Sequence, residues 1–161
     1  MLLKIGGALL LTAAGLGAGW LYARRLRLRR DLLTSFLAFL SQLGTALRYR
    51  SDTIYALVNS WGELFSVPEN DFSMPFSQAW ERQIETLPGK WKLSPRDMEL
   101  LREFGAQLGA TDTQGQLEHI ALYQALFQKQ LTQAREDIAQ KAKLYQVLGL
   151  FSGVSVALTL L

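Results

Sequence analysis

The chain has no cysteine, one histidine and only four prolines in 161 residues. The missing thiols exclude disulfide scaffolds, thiolate zinc sites, thiol nucleophiles, iron–sulfur clusters and cysteine-linked lipid anchors. His119 stands beside Glu118 with no second histidine to complete a metal site, and reads as a surface or partly packed side chain. Strand alternation bounded by turns is absent too, which leaves an all-α chain. The glycines 15, 17 and 19 follow no strand and precede no Lys-Ser or Lys-Thr, so they form no phosphate loop. Glu99 and Glu103 lie one helical turn apart, but Arg96 and Arg102 beside them mark a solvated charged face. No catalytic, cofactor-binding or metal-ligating set emerges, so neither enzyme activity nor a cofactor is expected.

What the chain does have is two long apolar runs, one near each end. Residues 5–23 form 19 positions without a charge, about 28 Å of helix, close to the hydrocarbon thickness of a bilayer. Residues 144–161 form 18 more, about 27 Å, interrupted only by Gln146 and by Ser152, Ser155 and Thr159, whose hydroxyls can return their hydrogen bonds to helix carbonyls. A cleaved secretory signal is the alternative for the first run, and a buried helix of a soluble protein is the alternative for the second. Against the signal stand five arginines at positions 24, 25, 27, 29 and 30.

Charge position gives an orientation. Those arginines follow the first run and Lys141 and Lys143 precede the second, whereas Lys4 alone lies on the other flank. The positive-inside bias then puts the middle of the protein in the cytoplasm and both termini across the membrane, with Trp20 and Tyr22 as interfacial anchors. Gly15 and Gly19 make a small-xxx-small face on which another membrane helix could pack, although glycine is common in membrane helices for other reasons. Residues 31–140 hold 9 basic and 14 acidic side chains, a net of −5, which removes the support for nucleic-acid binding.

The middle reads as a helix bundle. Leu33, Phe36, Leu37, Leu40, Leu43 and Leu47 extend the first span as one apolar stripe, unbroken by Pro or Gly between Trp20 and Leu43. A second helix is expected over 52–65, capped by Ser51 or Asp52, with Ile54, Leu57, Val58 and Trp61 on one face. A loop over 66–75 precedes a short helix bearing Phe76, Trp80 and Ile84, which Pro88 and Gly89 end. Ser94, Pro95 and Asp97 announce the next helix, which buries Met98, Leu101, Phe104 and Leu108 and closes at Gly109. Asp112 or Thr113 opens the last, with Gln116 placed for a reciprocal cap from Thr113, and the stripe Ile120, Tyr123, Phe127, Leu131, Ala134, Ile138, Ala142, Tyr145 carries it into the second span. Trp61, Trp80 and Trp91 are expected as core anchors. The resulting architecture is an antiparallel bundle over 24–143, on two long helices that continue into transmembrane spans at 1–23 and 144–161.

The start Leu3-Lys4-Ile5-Gly6, the basic exit after the first span, Tyr49, the set Leu108-Gly109 with Asp112, Gln116, His119 and Ile120, and the closing Lys143-Leu144-Tyr145, Leu148-Gly149 and Gly153 are similar to the stage III sporulation protein AB family of endospore-forming bacteria. The resemblance covers nearly the whole chain, most loosely over 66–92. At Leu47-Arg48-Tyr49-Arg50 the chain lacks the acidic residue that the family's pattern leads one to expect ahead of the tyrosine. What the resemblance implies is a non-enzymatic membrane platform in the channel complex joining mother cell and forespore, on the mother-cell side of the outer forespore membrane. Its central domain would resemble the cytoplasmic helical domain of the platform proteins of type II secretion and type IV pilus systems. The implied partners are the complex's own ATPase subunit, other membrane subunits and lipid; association of like chains is compatible with it. Tyr49, Asp112 and Gln116 are the candidate partner-binding residues, and helix capping is the competing role for the last two. A membrane-anchored adaptor unrelated to secretion is the alternative function.

Overall fold

The computed structural model describes the backbone of residues 2–49, 53–60, 64–67 and 73–160. Side chains are described within those ranges from Arg24 to Lys141, Pro88 excepted, and at Leu144. Among the described residues there are six helices: α1 (Leu2–Tyr49), α2 (Ile54–Asn59), α3 (Phe76–Glu85), α4 (Leu87–Trp91), α5 (Pro95–Gln107) and α6 (Thr113–Leu160). The chain is all-α, with no strand among the described residues. Helices α1 and α6 run along each other as a long antiparallel pair, and α3 and α5 pack against them.

Each long helix has 48 residues, and α1 holds no proline, so nothing interrupts it where the uncharged run ends and the apolar stripe begins. From Arg29 onward α1 buries a face broader than the stripe read from sequence, because Leu32, Phe39 and Ala46 join Leu33, Phe36, Leu40 and Leu43 while Leu37 and Leu47 are only partly covered. The reason is position: α1 is packed by α2, α4 and α6. Phe36, fully buried, is the hub, with ring centroids 4.5 Å from Phe127, 5.1 Å from Phe65, 5.5 Å from Phe104 and 6.2 Å from Trp80. Along α6 the stripe Ile120, Tyr123, Phe127, Leu131 and Ala134 is buried and Ile138 is half-covered, whereas the side chains of Ala142 and Tyr145 lie outside the described residues.

The second helix is shorter than its pattern predicts. It runs over Ile54–Asn59, and its cap is Thr53, whose hydroxyl accepts from the Ala56 amide at 3.3 Å. Ser51, Asp52 and Trp61 lie outside the described residues. Asn59 stops α2 by folding onto the following turn, where its amide exchanges two hydrogen bonds with the Val67 backbone at 2.8 and 2.9 Å. Pro88 and Gly89 do not act as the stop for α3. Thr86 ends it, its hydroxyl donating to the Gln83 carbonyl at 2.8 Å, and both residues lie inside α4, since a proline in the first turn loses no helical hydrogen bond.

Helices α3 and α5 approach closely because Gly105 has no side chain. A Cβ there would overlap the Trp80 indole, whose Nε1–H donates to the Leu101 carbonyl at 2.8 Å. The first turn of α5 forms the capping box expected of its sequence. The Asp97 amide donates to the Ser94 hydroxyl at 3.1 Å, and the Ser94 amide donates to the Asp97 carboxylate at 2.8 Å.

Asp97 also has a second partner. Its carboxylate takes a two-pronged contact from Arg29 of α1, Nε to Oδ2 at 2.7 Å and Nη2 to Oδ1 at 3.1 Å. Gln130 Oε1 accepts from the same guanidinium at 3.2 Å, and Asp137 stands 3.6 Å from it. Arg29 thus belongs to the interior, 8% exposed, and not to the exposed basic block in which its neighbours in sequence place it. The hydrogen bond with Asp97 raises the guanidinium pKa above its ordinary value, burial opposing. A cation whose folded pKa is raised keeps its full contribution at every pH below the unfolded value, so this contact persists across the neutral and moderately alkaline range.

Among the described residues no helix is long and apolar enough to cross a membrane. Apart from Leu144, the side chains of both uncharged runs, with Gly15, Gly19, Trp20 and Tyr22, lie outside those residues, so the expectation of two spans rests on the sequence.

Two stability measurements follow. Asp97→Ala should cost about 3–5 kcal/mol in chemical denaturation, because it leaves Arg29 buried without its carboxylate, and Arg29→Met with Asp97→Leu together should recover much of that loss. Gly105→Ala should destabilise by about 1–3 kcal/mol although alanine favours helix, since the Trp80 ring has to move; an unchanged midpoint would refute the close α3–α5 seat.

Candidate functional site

The candidate partner-binding residues Tyr49, Asp112 and Gln116 lie at one pole of the bundle. Gly44 of α1 faces Leu117 and Ile120 of α6, so the end of α1 and the α5–α6 corner lie together. Gly109 faces Ile54 at the start of α2. Tyr49, five residues past Gly44, is 82% exposed, the most open large hydrophobic side chain described. Asp112 is exposed and Gln116 is buried, at 3% exposure.

The corner is built by hydrogen bonds to backbone. Gly109 takes φ +85°, a conformation that suits glycine, and turns the chain out of α5. Its amide then has no helical partner, and Gln116 Oε1 accepts from it at 2.9 Å. Gln116 Nε2 donates to the Thr111 hydroxyl at 2.8 Å and reaches the Gln107 carbonyl at 3.4 Å. The reciprocal cap with Thr113 does not form; Gln116 instead reaches back across the loop, where unsatisfied groups of α5 need it more. Asp112 is the cap of α6, accepting from the Gly115 amide at 3.0 Å. Of the three candidate residues, Tyr49 and Asp112 present side chains at the surface, while the polar groups of Gln116 are used inside.

His119 completes the corner. Its Nε2 lies 2.9 Å from the Phe104 carbonyl, and since a carbonyl only accepts, that nitrogen carries the hydrogen. The ring stacks on Phe104 at 5.3 Å and leans on Tyr123 at 4.7 Å. Burial pushes the Tyr123 phenol up, Glu103 adds to the rise and Arg96 opposes it. The charged face around Glu99 is solvated: Arg96 pairs with Glu99 at 2.6 Å and Arg102 stands 3.8 Å from Glu81, all half exposed. Among the described residues no group of three acidic or histidine side chains could hold a metal ion. Two grooves among the described residues, one lined by Ser77, Glu81, Arg102 and Glu103 and one by Leu64, Gln83, Leu87 and Trp91, are open to solvent. Such surfaces suit contact with a macromolecule better than enclosure of a small substrate.

Trp80 is a core anchor, 1% exposed. Trp91 is not. It is half-covered, lies under Lys90 Nζ at 5.3 Å, and its indole nitrogen is buried without a hydrogen-bond partner.

Gln116→Ala should lower stability by about 1–3 kcal/mol by stranding the Gly109 amide, and Gln116→Glu, which keeps the acceptor, should lose less; equal losses in thermal denaturation would contradict this role.

No curated relative and no solved structure matches the chain. The family described as stage III sporulation protein AB matches residues 4–161. That match spans both long helices, the α5–α6 corner and the turn between α3 and α5. The chain therefore belongs to the stage III sporulation protein AB family, and its role lies in sporulation.

Proposed function

We propose that the chain is a non-enzymatic membrane platform of the sporulation channel complex, which docks the complex's cytoplasmic ATPase to its membrane subunits. The observation that carries this reading is the pair of unbroken helices α1 and α6, which leave the same end of the bundle side by side and contain the uncharged runs of 19 and 18 residues. Leu144, the first residue of the second run, is 55% exposed, as expected of a side chain that meets lipid. The spans form a hairpin in this reading, with the basic flanks holding the bundle on the cytoplasmic side. Gly15 and Gly19 would then be available to another membrane subunit.

The opposite pole faces the cytoplasm and carries Tyr49 and Asp112. An exposed tyrosine is the kind of side chain that anchors an interface, and the corner behind it is held rigid by the Gln116 and His119 hydrogen bonds. The ATPase meets the platform there.

Two measurements test this. Reporters fused at each terminus and at Asn70 should read the termini across the membrane and the bundle in the cytoplasm; a cytoplasmic reading at all three rejects the spans. The detergent-solubilised full chain should capture the ATPase, and Tyr49→Ala with Asp112→Asn, which keeps the cap acceptor, should weaken capture by roughly tenfold, about 1.4 kcal/mol. Undiminished capture would move the docking surface elsewhere.

A further inference from the structure

The end of the bundle from which α1 and α6 leave is assembled from three separate stretches of sequence. Helix α3 starts near Tyr55, at the far pole, where the Phe76 ring meets Tyr55 at 5.4 Å. It runs antiparallel to α5, since Phe76 at the start of α3 and Gly109 just past the end of α5 lie beside the neighbouring residues Tyr55 and Ile54. The start of α5 is tied to Arg29 through Asp97, so α4 and the turn after it lie at the Arg29 end. Arg29 is six residues beyond Ala23, the last residue of the first uncharged run, about 9 Å along the helix. A headgroup layer is about 5–8 Å thick, so that height lies just at its outer edge.

The turn at this height is Lys90-Trp91-Lys92. Both lysines are exposed. Trp91 is half-covered and, among the described residues, has the one buried side-chain polar atom without a hydrogen-bond partner. Lys92 takes φ +55°, the one positive value among described residues other than glycine. An amphipathic ring between two cations is the composition of an interfacial anchor. The surrounding charge agrees with it. Residues 24–31, 85–99 and 135–143 together hold 11 basic and 6 acidic side chains, whereas 32–84 and 100–134 hold 5 and 8.

We infer that the Lys90-Trp91-Lys92 turn docks on anionic lipid headgroups, a third membrane contact of the chain beside its two spans. This rests on the membrane reading above. The Arg29–Asp97 contact sets the height of the turn, the juxtamembrane arginines and the two lysines meet lipid phosphates, and the Trp91 ring settles among the headgroups. The bundle is thereby held at a fixed tilt, where two spans alone would leave it free to rock.

The absence of cysteine makes the test direct. A fluorophore on Gly89→Cys, a position with open space around it and both lysines intact, reports the turn. Labels on Leu10→Cys and Gln114→Cys report the first run and the far pole. The full chain is placed in phosphatidylcholine–phosphatidylglycerol nanodiscs with a nitroxide on either the headgroup or the acyl chain. Position 89 should be quenched by the headgroup nitroxide and position 114 should not, and Lys90→Glu with Lys92→Glu should abolish the quenching. If position 10 is quenched by the acyl nitroxide while position 89 stays bright, the docking is wrong although the span stands, and the turn is left to a protein partner. Quenching at 89 that survives the charge reversal also overturns the docking, since the spans alone then explain it. If position 10 stays bright, the membrane reading itself fails and this inference with it.

Discussion

The contact between Arg29 and Asp97 fixes the arrangement of the whole bundle. It joins two residues 68 positions apart, and the carboxylate on which it depends is committed to the first turn of α5 as well. One aspartate therefore starts a helix and sets its height against α1, while Gln130 and Asp137 bring α6 to the same guanidinium. A buried ion pair is a weak source of stability compared with apolar packing of the same volume, but it tolerates no slippage. The aromatic cluster around Phe36 supplies the non-directional part of the stability, and the guanidinium fork supplies the register.

The bundle is polarised about that contact. Basic residues collect where α1 and α6 leave, and the opposite pole is held by a network that ends in neutral groups: the Gly109 amide, the Thr111 hydroxyl and the Phe104 carbonyl. Tyr49 and Asp112 project from that neutral frame. The sporulation family to which the chain belongs is thus represented by a domain with one charged end and one built for rigidity.

Much of this architecture was legible in the residues. Steps of three and four carried the stripes of α1, α5 and α6, and the Ser94, Pro95, Asp97 signature located the start of α5 to the residue. Local signals failed where a distant partner decided. Arg29 sits among four other arginines, and composition alone gives no reason to lift it out of that block; its aspartate comes from another helix. Gln116 obeyed the spacing of a reciprocal cap, yet the amide stranded by the left-handed Gly109 was the stronger claim. Pro88 and Gly89 looked like a terminator, but a proline in a first turn is compatible with helix, and Thr86 had already ended α3. Trp91 differs, since Lys90 and Lys92 on either side of it in sequence agree with its half-covered setting.

The continuity of α1 has a mechanical corollary. Forty-eight residues of continuous helix make a rod of about 72 Å. A pivot of about 5° near one tip would swing the other by about 6 Å, with no soft joint to absorb the motion. Work done on the pole near Tyr49 would be felt, as lateral displacement, at the opposite extremity of the same rod.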